Sequence, residues 1–393
     1  MRRVIIYIAA VLVLILGFWG VHRLDNTELT RQSRLLVTPE PASPAVESPA
    51  EPTPTPEPTA TPAPTPEPTV EPFTTPEPAA LKADINPLTG APAGKDYSLR
   101  RPYAVMINNI AVAQPQVGVA GADMIWELMD EGGITRMEAL YMDPADIPSI
   151  GSIRSARIYN VSVARAYDAI LVHAGGSDEA LSAIDAFGVS DICSVRGRYA
   201  AGTFYRDKSR QTYGVEHSLF AVGKGIVRSA ESLGCSATHP DGYATLYGMT
   251  FSDTAQTQCT LPAETVAVTY AGGKTTDFIY DSDVGLYAVA QFGDVYADGG
   301  ETPVLFRNVL ILKAWTALQE DGLHLSIRLV GSGDGYFCCG GAYTPIRWYR
   351  ADEDEPFWFT TETGEPLALG TGRTFVAVQQ IGGYTGTTAF YGG

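Results

Sequence analysis

The sequence has few cysteines and histidines, and it lacks the spacings that mark common catalytic and metal-binding motifs. There are 5 cysteines and 5 histidines in 393 residues, and no cysteine precedes Cys193. A lipid-modified cysteine directly after an amino-terminal apolar run is therefore excluded. No H-E-x-x-H pair and no G-x-S-x-G nucleophile motif is present, so the sequence predicts neither a metal nor a cofactor. The odd number of cysteines leaves at least one thiol free, and the pairing of the others stays open.

Basic residues are also scarce. The chain has 27 lysines and arginines against 44 aspartates and glutamates, for a formal net charge of −17 at pH 7. A chain this acidic repels a phosphate backbone, and it has no basic stripe with interleaved aromatic residues. We therefore expect no nucleic-acid partner, although small local clusters of cations remain compatible with the composition.

One long apolar run is present, at Val4–Val21, with 18 residues and no charge. At 1.5 Å per residue, such a helix just crosses a hydrocarbon layer of about 30 Å. Arg2 and Arg3 precede the run, which favours a cytoplasmic amino end. We predict that residues 1–24 form a transmembrane anchor, so that the chain is a single-pass protein of the cell membrane with its folded part extracytoplasmic. A cleaved secretory signal is the alternative.

Proline is concentrated in one stretch, because 15 of the 27 prolines lie within residues 38–80. The stretch repeats Thr-Pro, Glu-Pro and Ala-Pro and has few apolar side chains to bury. It is predicted to be a disordered, polyproline-like linker that holds the folded part away from the membrane.

Residues 85–258 alternate strand-like and helix-like patterns, which is typical of a layered α/β domain. Strands are predicted at Arg101–Asn109, Ile134–Met142 and Ala169–His173. Helices are predicted at Ala122–Asp130, Ser155–Tyr167 and Asp178–Phe187, the last of them capped by Ser177.

Residues 262–393 have the alternating pattern of short strands instead. The predicted strands include Phe278–Tyr280, Leu286–Phe292, Val309–Ala314, Leu323–Val330, Ile346–Tyr349 and Phe375–Gln379. Gly272-Gly273 and Gly331–Gly335 are predicted turns. The predicted fold class is thus α+β: a mixed α/β domain followed by a mostly antiparallel β domain, behind a transmembrane helix and a proline-rich stalk.

A series of short motifs follows in order from residue 86 to about residue 380. They are Asn86–Gly90, Arg101–Asn109, Gln114–Gln116, Gly121–Asp123, Glu131–Arg136, Gly151–Arg157, Tyr167–Ser177, Phe204–Arg210, Tyr280–Tyr287, Gly331–Gly335 and Thr363–Glu365. The series resembles the YerB-like family of proteins described as bacterial surface lipoproteins, whose two modules are catalogued as domains of unknown function. The resemblance implies an outward-facing, membrane-attached protein and implies no established reaction. The missing lipidated cysteine departs from the family pattern and leaves the apolar helix as the predicted anchor.

Arg154 and Arg157 stand at the start of a predicted helix, where an i, i+3 pair shares one face. Cations at a helix amino end oppose the helix dipole, so this pair favours a nearby anion. That anion is either a bound phosphate, carboxylate or acidic glycan, or an internal carboxylate from Glu127, Glu131 or Asp207.

His173 ends a predicted buried strand, and ligands of open α/β sheets bind at the carboxyl ends of strands. The alternative is a histidine whose hydrogen bonds are satisfied inside the fold. Arg206, Asp207 and Arg210 fall in one predicted loop, with His217 shortly after them. Such a loop either contacts a ligand or is simply a solvated surface.

We predict a binding protein for an anionic envelope polymer or a partner protein. The candidate ligand-binding residues are Arg154, Arg157, His173, Arg206, Asp207, Arg210, His217, Glu131 and Arg136. An enzyme is the first alternative, a hydrolase or transferase using His173 or His217 with Asp207 or Glu131 for proton transfer. A scaffold that docks a membrane complex through an apolar surface is the second.

Overall fold

The computed structural model describes residues 82–240, 243 and 247–392. The predicted anchor at 1–24 and the predicted linker at 38–80 lie outside the described residues. Within the described ranges, no helix is both long enough and apolar enough to span a bilayer.

The described residues form a few short helices and many strands. The α-helices are α1 (Ile158–Ala166), α2 (Asp178–Ala186) and α3 (Gly223–Ser232). Short 3-10 helices lie at Ala111–Ala113, Val119–Gly121, Glu131–Gly133, Lys208–Tyr213, Val215–His217 and Ala255–Gln258. The first strands are β1 (Tyr103–Asn109), β2 (Met124–Met129), β3 (Thr135–Tyr141), β4 (Ile150–Gly151), β5 (Ile170–His173), β6 (Asp191–Cys193), β7 (Phe204–Arg206), β8 (Leu219–Ala221), β9 (Thr250–Ser252) and β10 (Leu261–Pro262). The others are β11 (Thr265–Thr269), β12 (Thr275–Asp281), β13 (Leu286–Gln291), β14 (Asp294–Val295), β15 (Ala297–Asp298), β16 (Thr302–Pro303), β17 (Leu305–Phe306), β18 (Asn308–Leu318), β19 (Leu325–Ile327), β20 (Gly331–Cys339), β21 (Ala342–Arg350), β22 (Trp358–Thr361), β23 (Ala368–Gly370), β24 (Thr374–Gly382) and β25 (Thr387–Tyr391).

A mixed sheet of 12 strands forms the centre, in the order β10-β21-β20-β18-β24-β2-β3-β1-β5-β6, with β19 on β18 and β22 on β21. Six strands of this sheet run in the same direction: β18, β24, β2, β1, β5 and β6. Strands β18, β24 and β2 pair in parallel, and so do β1, β5 and β6. Strand β3 lies between the two sets and is antiparallel to both β2 and β1, so the two sets have the same direction. Their carboxyl ends therefore meet at one edge. A second, antiparallel sheet has the order β14-β13-β12-β11-β25, with β17 on β13.

Both faces of the central sheet are covered. On one face, Phe375 of β24 packs against Phe278 of β12, with ring centroids 4.9 Å apart, so the second sheet lies there. Val376 points the opposite way and pairs in register with Trp126 of β2, whose ring packs on Tyr167 just after α1. Strands buried on two faces need apolar residues at every position rather than alternating ones.

This double burial explains one wrong prediction. Ala122–Asp130 was expected to be an amphipathic helix, but Met124–Met129 is strand β2 and all six of its residues are buried. Its near-continuous apolar run lacks the period-2 alternation of a half-buried strand, so its periodicity is easily taken for that of a helix.

Other elements differ from their predictions in smaller ways. The helix predicted at Ser155–Tyr167 begins only at Ile158, and Gly331–Gly335 opens strand β20 instead of forming a turn. The segment Phe204–Arg210 is strand β7 followed by the start of a 3-10 helix, not one loop. The helix after Ser177 is confirmed, with Ser177 Oγ accepting from Ala180 N at 3.3 Å.

The two predicted domains, 85–258 and 262–393, share the central sheet, because β24 pairs in parallel with β2. The turn at Gly272, predicted between strands and found there, packs directly on Gly133. A Cβ on Gly272 would lie 2.1 Å from the Gly133 Cα, so only glycine permits this approach. The α+β layout of a mixed sheet followed by antiparallel strands therefore holds, and strands of both segments take part in the central sheet.

Candidate functional site

The polar residues of interest gather where the parallel strands end. Asn109 ends β1, Asp130 follows β2, His173 ends β5 and Cys193 ends β6. In open sheets with parallel strands, ligands bind outside the carboxyl ends of the strands. The fold thus brings together at one edge residues that are distant in the sequence.

A short extended segment places Arg154 at this edge. Asn108 N donates to Ser152 O at 2.9 Å, and Ala174 N donates to Arg154 O at 2.9 Å, so the segment lies between the ends of β1 and β5. Arg157 is the residue before α1, and its N–H donates to Asn160 Oδ1 at 2.9 Å. Arg154 therefore lies outside the helix, and the prediction that the two arginines share a helix face is wrong.

Asp130 and Glu131 supply two carboxylates to this edge. Arg136 Nη2 lies 2.6 Å from Asp130 Oδ2, and the Arg157 guanidinium donates to both Glu131 oxygens at 2.7 Å. Tyr159 OH donates to Asp130 Oδ1 at 3.2 Å. Of the two sources of an anion considered for Arg157, the internal carboxylate of Glu131 is thus present.

The two carboxyl groups differ in how readily they ionise. Burial raises the pKa of Asp130 against the opposing charge of Arg136. Burial also disfavours the ionised form of Glu131, but hydrogen bonds from Arg157 and Asp130 hold the pKa of Glu131 below its usual range. Glu131 therefore carries the firmer negative charge of the pair.

Arg154 has no ion pair with a carboxylate within the described residues. Its Nη1 donates to the Glu216 carbonyl oxygen at 3.2 Å. Burial lowers the pKa of Arg154, and the charge of Arg157 adds to this effect, while the carboxylates of Glu216 and Asp130 oppose it. A partly desolvated cation is stabilised by nearby negative charge.

His217 lies beside Arg154. Asn108 Nδ2 donates to His217 Nδ1 at 2.9 Å, so the neutral ring carries its proton on Nε2, which is 3.6 Å from Glu216 Oε1. Burial lowers the pKa of His217, and the Arg154 charge lowers it further, against the charge of Glu216. At neutral pH His217 is therefore a neutral hydrogen-bond donor next to a cation.

Arg206 supports this part of the site from behind. Its Nη1 donates to Val215 O at 2.5 Å and to Ser218 Oγ at 3.2 Å. These bonds hold the turn that carries Glu216 and His217. Arg206 therefore lies close to Glu216 and His217 and stabilises the backbone of the turn that carries them.

Asp207 and Arg210 hold local structure together. Asp207 caps the 3-10 helix Lys208–Tyr213 by accepting from the backbone N–H two residues later at 2.9 Å. Arg210 donates to Ala113 O at 3.0 Å and to Pro115 O at 2.6 Å. Their hydrogen-bonding groups serve the fold, so neither is a leading candidate for ligand contact.

His173 belongs to a separate group on strands β5 and β6. The strand register sets His173 beside Cys193, and Asp191 Oδ2 lies 3.1 Å from His173 Nε2. Burial opposes the charged form of His173, but hydrogen bonds that the ring donates to Asp191 and Cys193 raise the pKa of His173 to about 9. Burial likewise opposes the Cys193 thiolate, yet the His173 contact lowers the pKa of Cys193 to about 7.

The four acid and base candidates of the enzyme hypothesis do not meet. Glu131 is bound by Arg157, Asp207 caps its 3-10 helix, His173 bonds Asp191 and His217 bonds Asn108. No hydrogen bond joins any two of Glu131, Asp207, His173 and His217 in the described part of the chain. The geometry gives that hypothesis no support.

Sequence reasoning missed several partners in both groups. Asp130 follows strand β2, which the wrong helix prediction at Ala122–Asp130 concealed, whereas Asn108 lies in the correctly predicted strand β1 and was not singled out. Asp191 and Cys193 are two residues apart in a strand, where alternate side chains share a face. That i, i+2 pattern after α2 was the available signal for the second group.

Comparisons with known proteins agree on one family. The model of the protein of unknown function (DUF3048) N-terminal domain matches residues 88–236, and that of the C-terminal domain matches residues 266–376. The "Putative lipoprotein YerB" of Bacillus subtilis (strain 168) is 29% identical over 279 residues, covering 68% of this chain and 78% of that protein.

A solved structure shows the same fold. The crystal structure of the YerB protein from Bacillus subtilis superposes with a TM-score of 0.65 at 23% identity, covering 78% of this chain and 99% of that chain. With both domain models matched in order, this chain belongs to the YerB-like family of two-module proteins of unknown function.

Proposed function

We propose that this protein is a membrane-attached, extracytoplasmic binding protein that holds an anionic cell-envelope polymer through phosphate or carboxylate groups. The apolar run at Val4–Val21 and the name of the Bacillus relative, a "Putative lipoprotein", support the outward location. The proposed binding surface, called here the arginine edge, consists of Arg136, Arg154, Arg157, His217 and Glu131.

The observation that carries the proposal is the charge balance around Arg154. Arg157 is matched by Glu131 and Arg136 by Asp130, each within 2.7 Å. Arg154 has only a backbone acceptor, the Glu216 carbonyl. The arginine edge therefore has one guanidinium whose remaining N–H groups are available to a bound anion.

Two further features suit an anionic ligand. The Nε2–H of His217 is a second donor beside Arg154, placed by Asn108. The ion pairs of Arg136 and Arg157 fix the surrounding side chains, so little ordering is needed when a ligand binds. The proposed site is small, and it fits one phosphate or carboxylate group of a repeating polymer at a time.

The test is equilibrium binding of the full-length chain in detergent to poly(glycerol phosphate) and, separately, to polygalacturonate. We expect saturable binding to at least one polymer and a loss of about tenfold in affinity for Arg154→Ala, the value of one charged hydrogen-bonded contact. Arg154→Lys keeps the positive charge but loses the planar guanidinium group, so its affinity should lie between those of the wild type and Arg154→Ala. The double variant Arg154→Ala/Arg157→Ala should abolish retention.

Arg228→Ala is the matched control, since Arg228 is an exposed arginine of α3 and its loss changes the net charge equally. Equal weakening by Arg228→Ala and Arg154→Ala would mean nonspecific attraction and would refute the proposal. Binding to neither polymer, together with unchanged folding, would also refute it and would favour the partner-protein alternative.

A further inference from the structure

The group at the ends of β5 and β6 has the composition and geometry of a metal site. His173, Asp191 and Cys193 each offer one ligand atom, and the three atoms lie within 4.8 Å of one another. Around a tetrahedral zinc ion, such atoms are roughly 3.3–3.8 Å apart, as follows from the usual bond lengths. The spacing therefore needs only small side-chain adjustments.

The His173 and Asp191 side chains each have a polar neighbour outside the group. His173 Nδ1 donates to Gly175 O at 2.7 Å, which leaves Nε2 as the nitrogen that faces Asp191. Arg198 Nε lies 2.8 Å from Asp191 Oδ1, so Oδ2 is the oxygen directed to the group. Metal-bound histidines usually donate their other ring N–H to a carbonyl or carboxylate in this way.

The Cys193 sulfur atom also has hydrogen-bond donors around it. Backbone N–H groups of Gly175 and Arg196 donate to Cys193 Sγ, the latter at 3.4 Å. Such bonds stabilise a thiolate, which is the form that binds metal.

The three side chains are buried, and a cleft lies beside one of them, Asp191. It has a volume of about 250 Å³ and is lined by Asp191, Arg198 and Cys235, among others. Buried ligands next to a cleft are among the features expected of a metal site.

We propose that His173, Asp191 and Cys193 bind one divalent ion of the zinc class, with a fourth position left for water or a ligand atom. Nitrogen, oxygen and thiolate sulfur together suit Zn²⁺ or Co²⁺ rather than Mg²⁺ or Ca²⁺, which prefer oxygen ligands alone. This site is independent of the anion-binding proposal.

The experiment is a titration of the full-length, metal-stripped chain with Co²⁺, followed by displacement with Zn²⁺. We expect one equivalent of Co²⁺ to give the near-ultraviolet thiolate-to-cobalt band together with the strong visible bands of a tetrahedral ion, and Zn²⁺ to abolish both. A wild-type protein without these bands would overturn the proposal, whatever the variants do.

Variants assign the ligands. Cys193→Ser should remove the thiolate band, and Asp191→Asn and His173→Gln should each weaken Co²⁺ binding by at least about tenfold. Cys235→Ser is the matched control and should leave the spectrum unchanged, because Cys235 lines the cleft outside the ligand group.

Folding is checked on every variant by circular dichroism, so that a loss of binding is not confused with unfolding. Retention of the thiolate band in a folded Cys193→Ser protein, or its loss in folded Cys235→Ser, would contradict the assignment. Magnesium bound in preference to zinc would contradict the proposed metal class.

Discussion

Glu127 and Asp130 lie three residues apart at the end of β2, and the charged clusters around them differ in how their charges are paired. Glu127 is fully buried and accepts from Asn109 Nδ2 at 2.8 Å, from Thr135 Oγ1 at 2.6 Å, from Thr276 Oγ1 at 2.7 Å and from Lys274 Nζ. Its charge and both its oxygens have partners. The arginine edge, which lies next to Asp130, has ion pairs as well, but it also has Arg154, which forms no ion pair in the described part of the chain.

The comparison distinguishes a charged pair that stabilises the fold, Glu127–Lys274, from a charged side chain proposed to be available to a ligand, Arg154. Lys274 comes from the turn at Gly272 and reaches across to β2, so the Glu127–Lys274 pair joins the two family modules. Burial lowers the pKa of Lys274, and the charge of Glu127 opposes this shift. By contrast, Arg154 joins no two elements through an ion pair in the described chain.

Breaking the Glu127–Lys274 ion pair should have the largest effect on the free energy of unfolding. Lys274→Met leaves the Glu127 carboxylate buried without a cation, which costs about 3–5 kcal/mol of unfolding free energy. Urea unfolding of the full-length chain, followed by tryptophan fluorescence, measures it. Lys224→Met, on an exposed position of α3, is the control and should change stability by less than about 0.5 kcal/mol.

The double variant Glu127→Gln/Lys274→Met sharpens this result. It removes both charges and keeps the shape, so it should recover a large part of the loss seen in Lys274→Met alone. Additive effects of the two single variants would show that the pair is not coupled.

A third carboxyl group extends the comparison, because Glu138 is buried with no cation near it. Asn160 Nδ2 donates to its Oε2 at 3.2 Å, and Oε1 has no hydrogen-bond partner within the described residues. Burial raises the pKa of Glu138 well above 4.5. A raised carboxyl pKa contributes its full stability below the unfolded value and loses it as the pH rises towards the folded value.

Glu138→Gln should therefore gain stability relative to the wild type as the pH rises from 4 to 8, by on the order of 1 kcal/mol. Replacing the carboxyl group by an amide also has a cost in stability that does not depend on pH. This cost is the same at pH 4 and pH 8, so it does not change the predicted gain between them. The exposed Glu362→Gln serves as control and should show no such trend. A gain for Glu138→Gln that is independent of pH would mean that Glu138 ionises normally.

The smallest effect on stability is expected for Arg154→Ala. The variant removes one hydrogen bond to a backbone carbonyl and no ion pair, so the unfolding free energy should change by less than about 0.5 kcal/mol. Thermal unfolding at pH 7 measures this. A loss of several kcal/mol would place Arg154 with Lys274 among the residues that hold the fold.

The sequence predicted the strands and helices whose patterns are set by local burial. Arg101–Asn109 and Asp178–Phe187 were found close to their predicted bounds, as β1 and α2. It failed at Ala122–Asp130, because burial on both faces removes the alternation that distinguishes a strand. The pairing of β24 with β2 has no local signal at all, so the sequence does not predict that the two segments share a sheet.

Some of the predicted site residues lie together in the structure and others do not. Arg154, Arg157, Glu131 and Arg136 lie together at the arginine edge, with His217 beside Arg154 through the turn at Glu216. His173 lies one strand further on with Asp191 and Cys193, which no spacing rule joins across two strands. Asp207 and Arg210 had suitable chemistry, but the hydrogen bonds that occupy them appear only in three dimensions.

The most direct test of the central claim is an NMR titration of the arginine Nε–H signals with poly(glycerol phosphate), with Arg154 and Arg228 assigned from the Arg154→Lys and Arg228→Lys spectra. The account predicts a saturable shift of the Arg154 signal and none for Arg228. An unmoved Arg154 signal, or equal shifts for both arginines, would contradict the claim that this edge of the sheet binds anions.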